Sequence, residues 1–302
     1  MGANELVFNI WNPEEFFMKF IICTGDSHTW GQGPAGLYEH FTDPGVQAGE
    51  LRPSPFDVPF YVNLVRDEVN RRTGSRAVEE EPRRIIEGEY RTGQVCSAAR
   101  FVFRFDGHNN YKVASVIDGV SRSPLIAART DENGELIISV PEPMHLYRAE
   151  YYSGEFAVIN AGVGSCTTRR YLEQFYDDYV KLFDPCCIVA EAHSINDWLN
   201  HIPLDEVKEN LVKILTGCEN AYPVLMTVQD VDGPTAQPFS KTDYAEYIRV
   251  SRETAPENGF ALVDGNRAIG HAHFSDNWHP DEEGHAIYAR EIMKVIGERI
   301  LR

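Results

Sequence analysis

Short apolar runs alternate along the chain with longer stretches in which apolar residues recur at helical spacing. This alternation is typical of a parallel β-sheet whose strands are joined by helices. The apolar runs predict strands at residues 20–24, 156–160, 188–191, 224–228 and 261–264. Amphipathic spacing predicts helices at residues 59–72, 169–183, 204–216, 242–254 and 282–300. We expect a three-layer α/β/α sandwich around a five-stranded parallel sheet, in the flavodoxin-like strand order.

Residues 76–153 break this pattern and predict a β-rich insertion into an α/β domain formed by residues 1–75 and 154–302. Within the insertion, Phe101, Phe103 and Phe105 occupy alternate positions, which is strand spacing. Asn133-Gly134 precedes the apolar run at 136–140 and is a good signal for a hairpin turn. We expect a β-sandwich-like unit whose role is open: carbohydrate binding, a lid over the active site, or an interface in a homo-oligomer.

The composition limits the partners of this chain. Its 46 acidic and 28 basic residues give a net charge of −18, which argues against nucleic-acid binding through clustered Lys and Arg. The same charge disfavours an anionic membrane surface. The sequence shows neither a signal-peptide pattern nor an apolar run of membrane-spanning length. The six cysteines show no CxxC pair, so we expect free thiols in a cytoplasmic protein.

The first predicted strand ends in Gly25-Asp26-Ser27, which three readings could explain. Gly, Asp and Ser are common turn residues, so a plain turn is one reading. A catalytic serine at the carboxyl end of a strand is another. The third is a nucleotide loop, because residues 31–36 spell GxGxxG. That motif needs its first glycine directly after the strand and at the start of a helix, which this context does not offer.

Asp276 and His279, near the C-terminus, are three positions apart and could supply the two partners that a nucleophilic serine needs. Asp276 could instead cap a helix. His271 and His273 also invite a zinc interpretation, but the triad would already use Asp276 and His279. His285 falls on the face of the last predicted helix that lies away from its apolar stripe, so we expect it to be solvated. The GxSxG elbow of α/β-hydrolases is absent.

Four short blocks in this order resemble the SGNH (GDSL-type) hydrolases. They are Gly25-Asp26-Ser27, residues 160–167, Ser194-Ile195-Asn196-Asp197, and the Asp276/His279 pair, each following a predicted strand. Ser194 stands where the family usually has glycine. The resemblance covers the chain apart from the insertion, which is only weakly similar to the jelly-roll modules of two-domain carbohydrate esterases.

The resemblance implies a set of catalytic roles. Ser27 would attack an ester carbonyl, His279 would accept its proton, and Asp276 would orient the imidazole. The backbone N–H groups of Ser27 and Gly162 and the side-chain amide of Asn196 would form the oxyanion hole. The family works without a metal or another cofactor, so we expect neither.

Five residues near these blocks are candidates for substrate contacts, with plain packing as the alternative: His28, Trp30, His193, Trp198 and Trp278. Residues 229–240, rich in Pro and Gly, follow the fourth strand and form a candidate substrate loop. The function favoured is a serine esterase acting on a small-molecule or oligosaccharide ester, with an O-acetylated sugar preferred. The alternatives are a lipid or thioester acylhydrolase and, from another class, a catalytically idle glycan-binding protein.

Overall fold

The parallel sheet lies at the centre of the α/β part of the molecule. The computed structural model describes residues 17–31, 56–105, 110–231, 241–276 and 278–302. The strands of this sheet are β1 (Lys19–Gly25), β9 (Phe156–Gly162), β10 (Cys187–Glu191), β11 (Tyr222–Thr227) and β12 (Ala261–Asp264). Their order is β12-β11-β10-β1-β9 and every pairing is parallel, which confirms the predicted five-stranded sheet in flavodoxin-like order.

Helices cover both faces of the sheet. They are α1 (Ser27–Trp30), α2 (Tyr61–Thr73), α3 (Thr168–Gln174), α4 (Tyr176–Tyr179), α5 (Ser194–Leu199), α6 (Leu204–Thr216), α7 (Lys241–Glu257), α8 (Gly265–Ile269) and α9 (Glu282–Arg299). Alternate residues of β1 enter different cores: Phe20 and Ile22 pack with α3, α6 and α7, whereas Ile21 and Cys23 pack with α2 and α9. This two-residue period explains why a continuous apolar run is needed in a strand buried on both faces.

The helix expected at 169–183 is broken in the structure. It consists of α3, α4 and a 3₁₀ turn at Lys181–Phe183, with Phe175 between the two helices. The apolar period that predicted one helix is still used, because Tyr171, Phe175 and Tyr179 are all buried in the same core. No described helix is long and apolar enough to cross a membrane.

Residues 76–153 form an antiparallel sheet. Its strands are β2 (Arg76–Glu80), β3 (Arg84–Val95), β4 (Ala98–Phe105), β5 (Asn110–Ile117), β6 (Val120–Ser121), β7 (Ala127–Thr130) and β8 (Glu135–Ser153). β8 is 19 residues long and pairs with β2, β3, β4 and β7, so the described strands form one sheet where the sequence suggested a sandwich-like unit. The hairpin predicted at Asn133-Gly134 joins β7 to β8.

The insertion has its own apolar core but is also joined to the α/β part. Phe101 and Phe103 are fully buried in the core of the insertion, whereas Tyr152 packs into the core beside β9. Arg100, on β4, is 2% exposed and donates both to Glu150 Oε2 at 3.1 Å and to the carbonyl oxygen of Asn160 at 2.9 Å. Because β9 is the edge strand of the parallel sheet, this contact satisfies a carbonyl at that edge.

Candidate active site

Ser27 stands at the start of α1, directly beyond the carboxyl end of β1. Asp26 caps this short helix by accepting the backbone N–H of His28 on Oδ1 at 3.0 Å. A Cβ on Gly25 would overlap the side chains of Thr29 and Glu191, so only glycine fits between the strand end and the helix. The turn-like composition of Gly25-Asp26-Ser27 therefore serves a tight strand-to-helix turn that also presents the serine.

The structure brings Ser27, His279 and Asp276 into one hydrogen-bonded chain. His279 Nδ1 lies 2.7 Å from Asp276 Oδ2, and His279 Nε2 lies 2.8 Å from Ser27 Oγ. With Nδ1 donating to the carboxylate, Nε2 is the acceptor and the serine hydroxyl donates to it. This is the arrangement that a nucleophile, a base and an orienting acid require.

The loop before α9 gives Asp276 and His279 their geometry. Asp276 Oδ1 accepts the backbone N–H groups of Trp278 at 2.6 Å and of His279 at 2.7 Å, while Oδ2 accepts the imidazole N–H. A spacing of three residues therefore lets one carboxylate hold both the backbone and the ring of the histidine. Burial lowers the pKa of His279, and the hydrogen bond to Asp276 opposes that shift only in part. The imidazole is thus held neutral, the form that can accept a proton.

Two of the three predicted oxyanion donors keep an N–H group free. Within the described chain, no hydrogen bond engages the Ser27 backbone N–H, which lies in the first turn of α1. Asn196 is 8% exposed and donates from Nδ2 to Asp26 Oδ2 at 2.7 Å. An amide nitrogen carries two hydrogens, so this bond places the group beside the Asp26–Ser27 turn and leaves its second hydrogen unused.

The third predicted donor, Gly162, is engaged elsewhere. Its N–H donates to Asn160 Oδ1 at 2.9 Å, so the geometry does not support a role in the oxyanion hole. The glycine has another explanation, because a Cβ there would overlap the backbone of Trp30 and Thr29. Position 162 is therefore small so that α1 can pack against the end of β9.

Beneath the serine lies a buried cluster of Asp26, His28 and Glu191, whose potential ligand atoms are within 4.8 Å of one another. The carboxylate oxygens already accept hydrogen bonds, and the ring nitrogens of His28 already donate. Glu191 accepts from the backbone N–H groups of Asp26 and His193, each at 2.7 Å, and Asp26 accepts from the backbone N–H and the ring of His28. A cation would have to displace these donors, so the arrangement does not fit a metal site. Burial raises the pKa of Glu191 well above its usual value.

The residues expected to contact substrate are mostly packed inside the protein. His28 and His193 are 0% exposed, Trp198 is 2% and Trp30 is 4%, whereas Trp278 is partly exposed. The structure therefore gives the first four the packing role that was the alternative. His193 Nδ1 donates to the carbonyl oxygen of Cys166 at 2.8 Å. Trp198 packs between the rings of Tyr244 and Trp278, with centroid distances of 5.2 and 6.2 Å.

Asp197 is a residue of the site region whose part was not foreseen. Its carboxylate accepts the backbone N–H and the hydroxyl of Thr168, both at 2.9 Å, which joins α5 to the start of α3. Burial raises its pKa to about 7. The adjacent pair Asn196-Asp197 was the available signal, because two polar residues in a row after a buried strand need partners.

Within the described ranges, His271 and His273 do not join a metal-ligating cluster. His271 Nδ1 lies 3.6 Å from Asp230 Oδ2, and His273 Nδ1 lies 3.5 Å from Asp281 Oδ1. Each of these histidines therefore lies beside a different aspartate. His285 is fully buried and stacks on Tyr61 at a centroid distance of 6.1 Å, so the expectation of a solvated position is wrong. Both predicted loops lie largely outside the described residues: 32–36 of the GxGxxG segment and 232–240 of the substrate loop.

Comparison with solved structures shows the same fold in enzymes of acyl chemistry. The lipase/acylhydrolase from Enterococcus faecalis superposes with a TM-score of 0.52 at 15% identity, covering 93% of this chain and 97% of that one. A peptidoglycan O-acetylesterase superposes with a TM-score of 0.52 at 10% identity, covering 94% of this chain and 92% of that one. No family model and no curated protein matches the sequence. The fold expected from the SGNH resemblance is confirmed.

Proposed function

We propose that this protein is a serine esterase that removes small acyl groups, with O-acetyl groups on a carbohydrate as its substrate. The observation that carries this proposal is the unbroken chain of hydrogen bonds from Asp276 through His279 to Ser27. The fold neighbours support it, since one is a lipase/acylhydrolase and another a peptidoglycan O-acetylesterase.

The reaction follows from the positions of these groups. Ser27 Oγ attacks the ester carbonyl carbon while its proton passes to His279 Nε2, 2.8 Å away. The C–O bond to the leaving alcohol then breaks, and Nε2 returns the proton to that alcohol. Water attacks the acyl-serine in a second round of the same two proton transfers, which releases the carboxylic acid and restores Ser27. Asp276 Oδ2 accepts the hydrogen bond from Nδ1–H throughout the reaction and stabilises the imidazolium.

The tetrahedral intermediates carry a negative oxygen that needs donors already in place. The Ser27 backbone N–H and the second amide hydrogen of Asn196 fulfil this role in our proposal. The positive end of the helix dipole adds little here, since α1 has only four residues.

The surface of the described residues favours a short acyl group over a lipid chain. The large apolar side chains that are most exposed are Phe17, Ile85, Val95 and Val120, at 54–69%. Phe17 precedes β1 and the other three belong to the insertion, so none stands on an element that carries the triad. An acyl channel for a long chain would need such side chains beside Ser27.

The test is hydrolysis of aryl esters of acetate, butyrate and octanoate, with Ser27→Ala as the blank. We expect activity that is highest on acetate, is lost in the variant and is unaffected by a chelator. Release of acetate from acetylated xylo-oligosaccharide and from acetylated peptidoglycan fragments is then measured to test carbohydrate substrates. Activity rising with chain length would favour the lipid or thioester alternative. If no ester gave a serine-dependent rate, the glycan-binding alternative would replace the esterase.

A further inference from the structure

A second acid–histidine pair lies beside the triad. His28 follows Ser27 directly in the chain, is fully buried, and its ring centroid lies 5.3 Å from that of His279. Its Nδ1 lies 2.8 Å from Asp26 Oδ1, and its Nε2 lies 2.9 Å from the carbonyl oxygen of Trp278. One side chain therefore connects the turn that carries the nucleophile to the residue that precedes the base.

The direction of these bonds follows from their acceptors. A carbonyl oxygen has no hydrogen to give, so the Nε2 of His28 must donate to Trp278. Burial alone would raise the pKa of Asp26, but the charge of His28 and its hydrogen bond hold that pKa well below the usual range. Asp26 is therefore a carboxylate that accepts from Nδ1, from the His28 backbone and from Asn196. The imidazole of His28 is fixed at both ends.

The carbonyl that His28 contacts belongs to the peptide unit leading into His279. Gln229 Nε2 donates to the same oxygen at 3.0 Å. The N–H of this unit donates to Asp276 Oδ1 at 2.7 Å on the opposite side. The peptide plane between Trp278 and His279 is thus held from both sides, and the position of that plane determines where the imidazole can reach.

Three hydrogen bonds of Asp276 run to Trp278 or His279 and define the shape of the loop from within. The bond from His28 joins residues 250 positions apart and fixes the position of the loop relative to the turn that carries Ser27. Displacement of a catalytic group by about 1 Å can cost roughly 100-fold in rate, so this bond matters for catalysis.

We propose that His28 is a positioning residue for the base: its Nε2–H bond to the Trp278 carbonyl holds the Trp278–His279 peptide so that the imidazole meets Ser27 Oγ. This inference rests on the proposed esterase function, because it concerns the alignment of the same base. It gives His28 a task in place of the substrate contact expected from the sequence.

Two variants of His28 separate its two bonds. In His28→Asn the amide nitrogen takes the place of Nδ1, which keeps the bond to Asp26 and loses the one to Trp278. In His28→Gln the amide nitrogen reaches the place of Nε2, which keeps the bond to Trp278. On aryl acetate we expect kcat to fall about 100-fold in His28→Asn with KM unchanged, and no more than about 10-fold in His28→Gln. Equal kcat values, a larger loss in His28→Gln, or a loss confined to KM would overturn the proposal.

Gln229 provides a second test if a His28 variant does not fold. Gln229→Met removes the other donor to the Trp278 carbonyl, and we expect kcat to fall with KM unchanged. Tyr244→Phe is the matched control, since the Tyr244 hydroxyl donates to the main-chain carbonyl of Gln229 at 3.0 Å and not to its side chain. If Tyr244→Phe lost as much kcat as Gln229→Met, packing around Gln229 would be the cause and the proposal would be wrong.

Labelling of Ser27 with a fluorophosphonate distinguishes failure of this inference from failure of the proposed function. The reagent reports activation of the serine without needing the natural ester. Labelling of the wild type that slows in His28→Asn and recovers in His28→Gln supports the inference even if no tested ester is hydrolysed. Ester hydrolysis with equal labelling rates in all three proteins would reject the inference and keep the esterase. A wild type that neither reacts nor hydrolyses would remove both.

Discussion

The imidazole of His279 and the hydroxyl of Ser27 are 2.8 Å apart, although the two residues are separated by 252 positions in the chain. The serine follows β1, and the histidine lies in the loop that leads into α9. Both are 7% exposed, so the bond between them is largely shielded from water. A shielded, aligned pair of this kind has the geometry for proton transfer during acyl transfer.

Loss of either partner should abolish catalysis to the same extent. Ser27→Ala and His279→Ala should each lower kcat on aryl acetate by about a million-fold, because the residues act as a unit. The double variant should be hardly slower than either single one. Ser121→Ala, a serine on β6 of the insertion, is the control and should keep wild-type kcat. Multiplying losses in the double variant would show that the two residues act independently.

Asn196 should contribute to the transition state rather than to binding. Asn196→Ala should lower kcat by about 100- to 1000-fold, the usual effect of removing one oxyanion donor, with a smaller change in KM. Asn200→Ala is the matched control, since its amide bonds to the carbonyl of Asn196 at the end of the same helix. A fully active Asn196→Ala would mean that this amide serves only to hold Asp26.

The pH profile of kcat/KM should report the buried imidazole. Burial disfavours the charged form of His279 and lowers its pKa from the ordinary 6.5, so the base stays neutral into mildly acidic solution. We expect the acid limb of the wild type to have its midpoint below about 6.5. Asp276→Asn removes the partner that opposes this shift, so its midpoint should move lower still, with kcat reduced about 10⁴-fold. A wild-type midpoint above this value would contradict the assignment of His279 as the base.

Asp197 should make the protein less stable as the pH rises. Its pKa is raised by burial from 3.8 to about 7. Below pH 4 the carboxyl is protonated in both states; between about 4 and 7 the unfolded chain releases its proton while the folded protein keeps it. The free energy of unfolding should therefore fall across this window in the wild type, and less steeply in Asp197→Asn. Denaturant unfolding at several pH values measures both slopes, and parallel slopes would refute the prediction.

The buried ion pair between Arg100 and Glu150 should stabilise the insertion, whereas the second bond of Arg100, to the Asn160 carbonyl, joins the insertion to the α/β part. Both side chains are at most 2% exposed, so Arg100→Met leaves a buried carboxylate without its partner and should cost about 3–5 kcal/mol. Replacing both residues by Met and Leu should cost less than the single change. Arg129→Met, in the exposed pair with Glu89, is the control and should cost at most about 1 kcal/mol. Similar losses for Arg100→Met and Arg129→Met would show that burial gives the Arg100–Glu150 pair no special weight in stability.

The architecture was predictable because burial leaves a local period in the sequence. Strands buried on both faces read as continuous apolar runs, and all five appear within two residues of their expected ends. The loss of the helical period at Arg76 likewise marks where β2 begins. The same reasoning was wrong about His285, because its ring fills a space that other helices create.

The sequence by itself determined the positions of the five parallel strands, the extent of the β-rich segment and the candidates Ser27, Asp276 and His279, since each depends on periodicity or on a short motif. Only the tertiary structure decided the use of individual polar groups. In the structure the Gly162 N–H donates to Asn160, His28 donates to the Trp278 carbonyl, and Asp197 accepts from Thr168. These pairings unite residues from different elements, and a buried polar group must bond to whatever the packing places beside it.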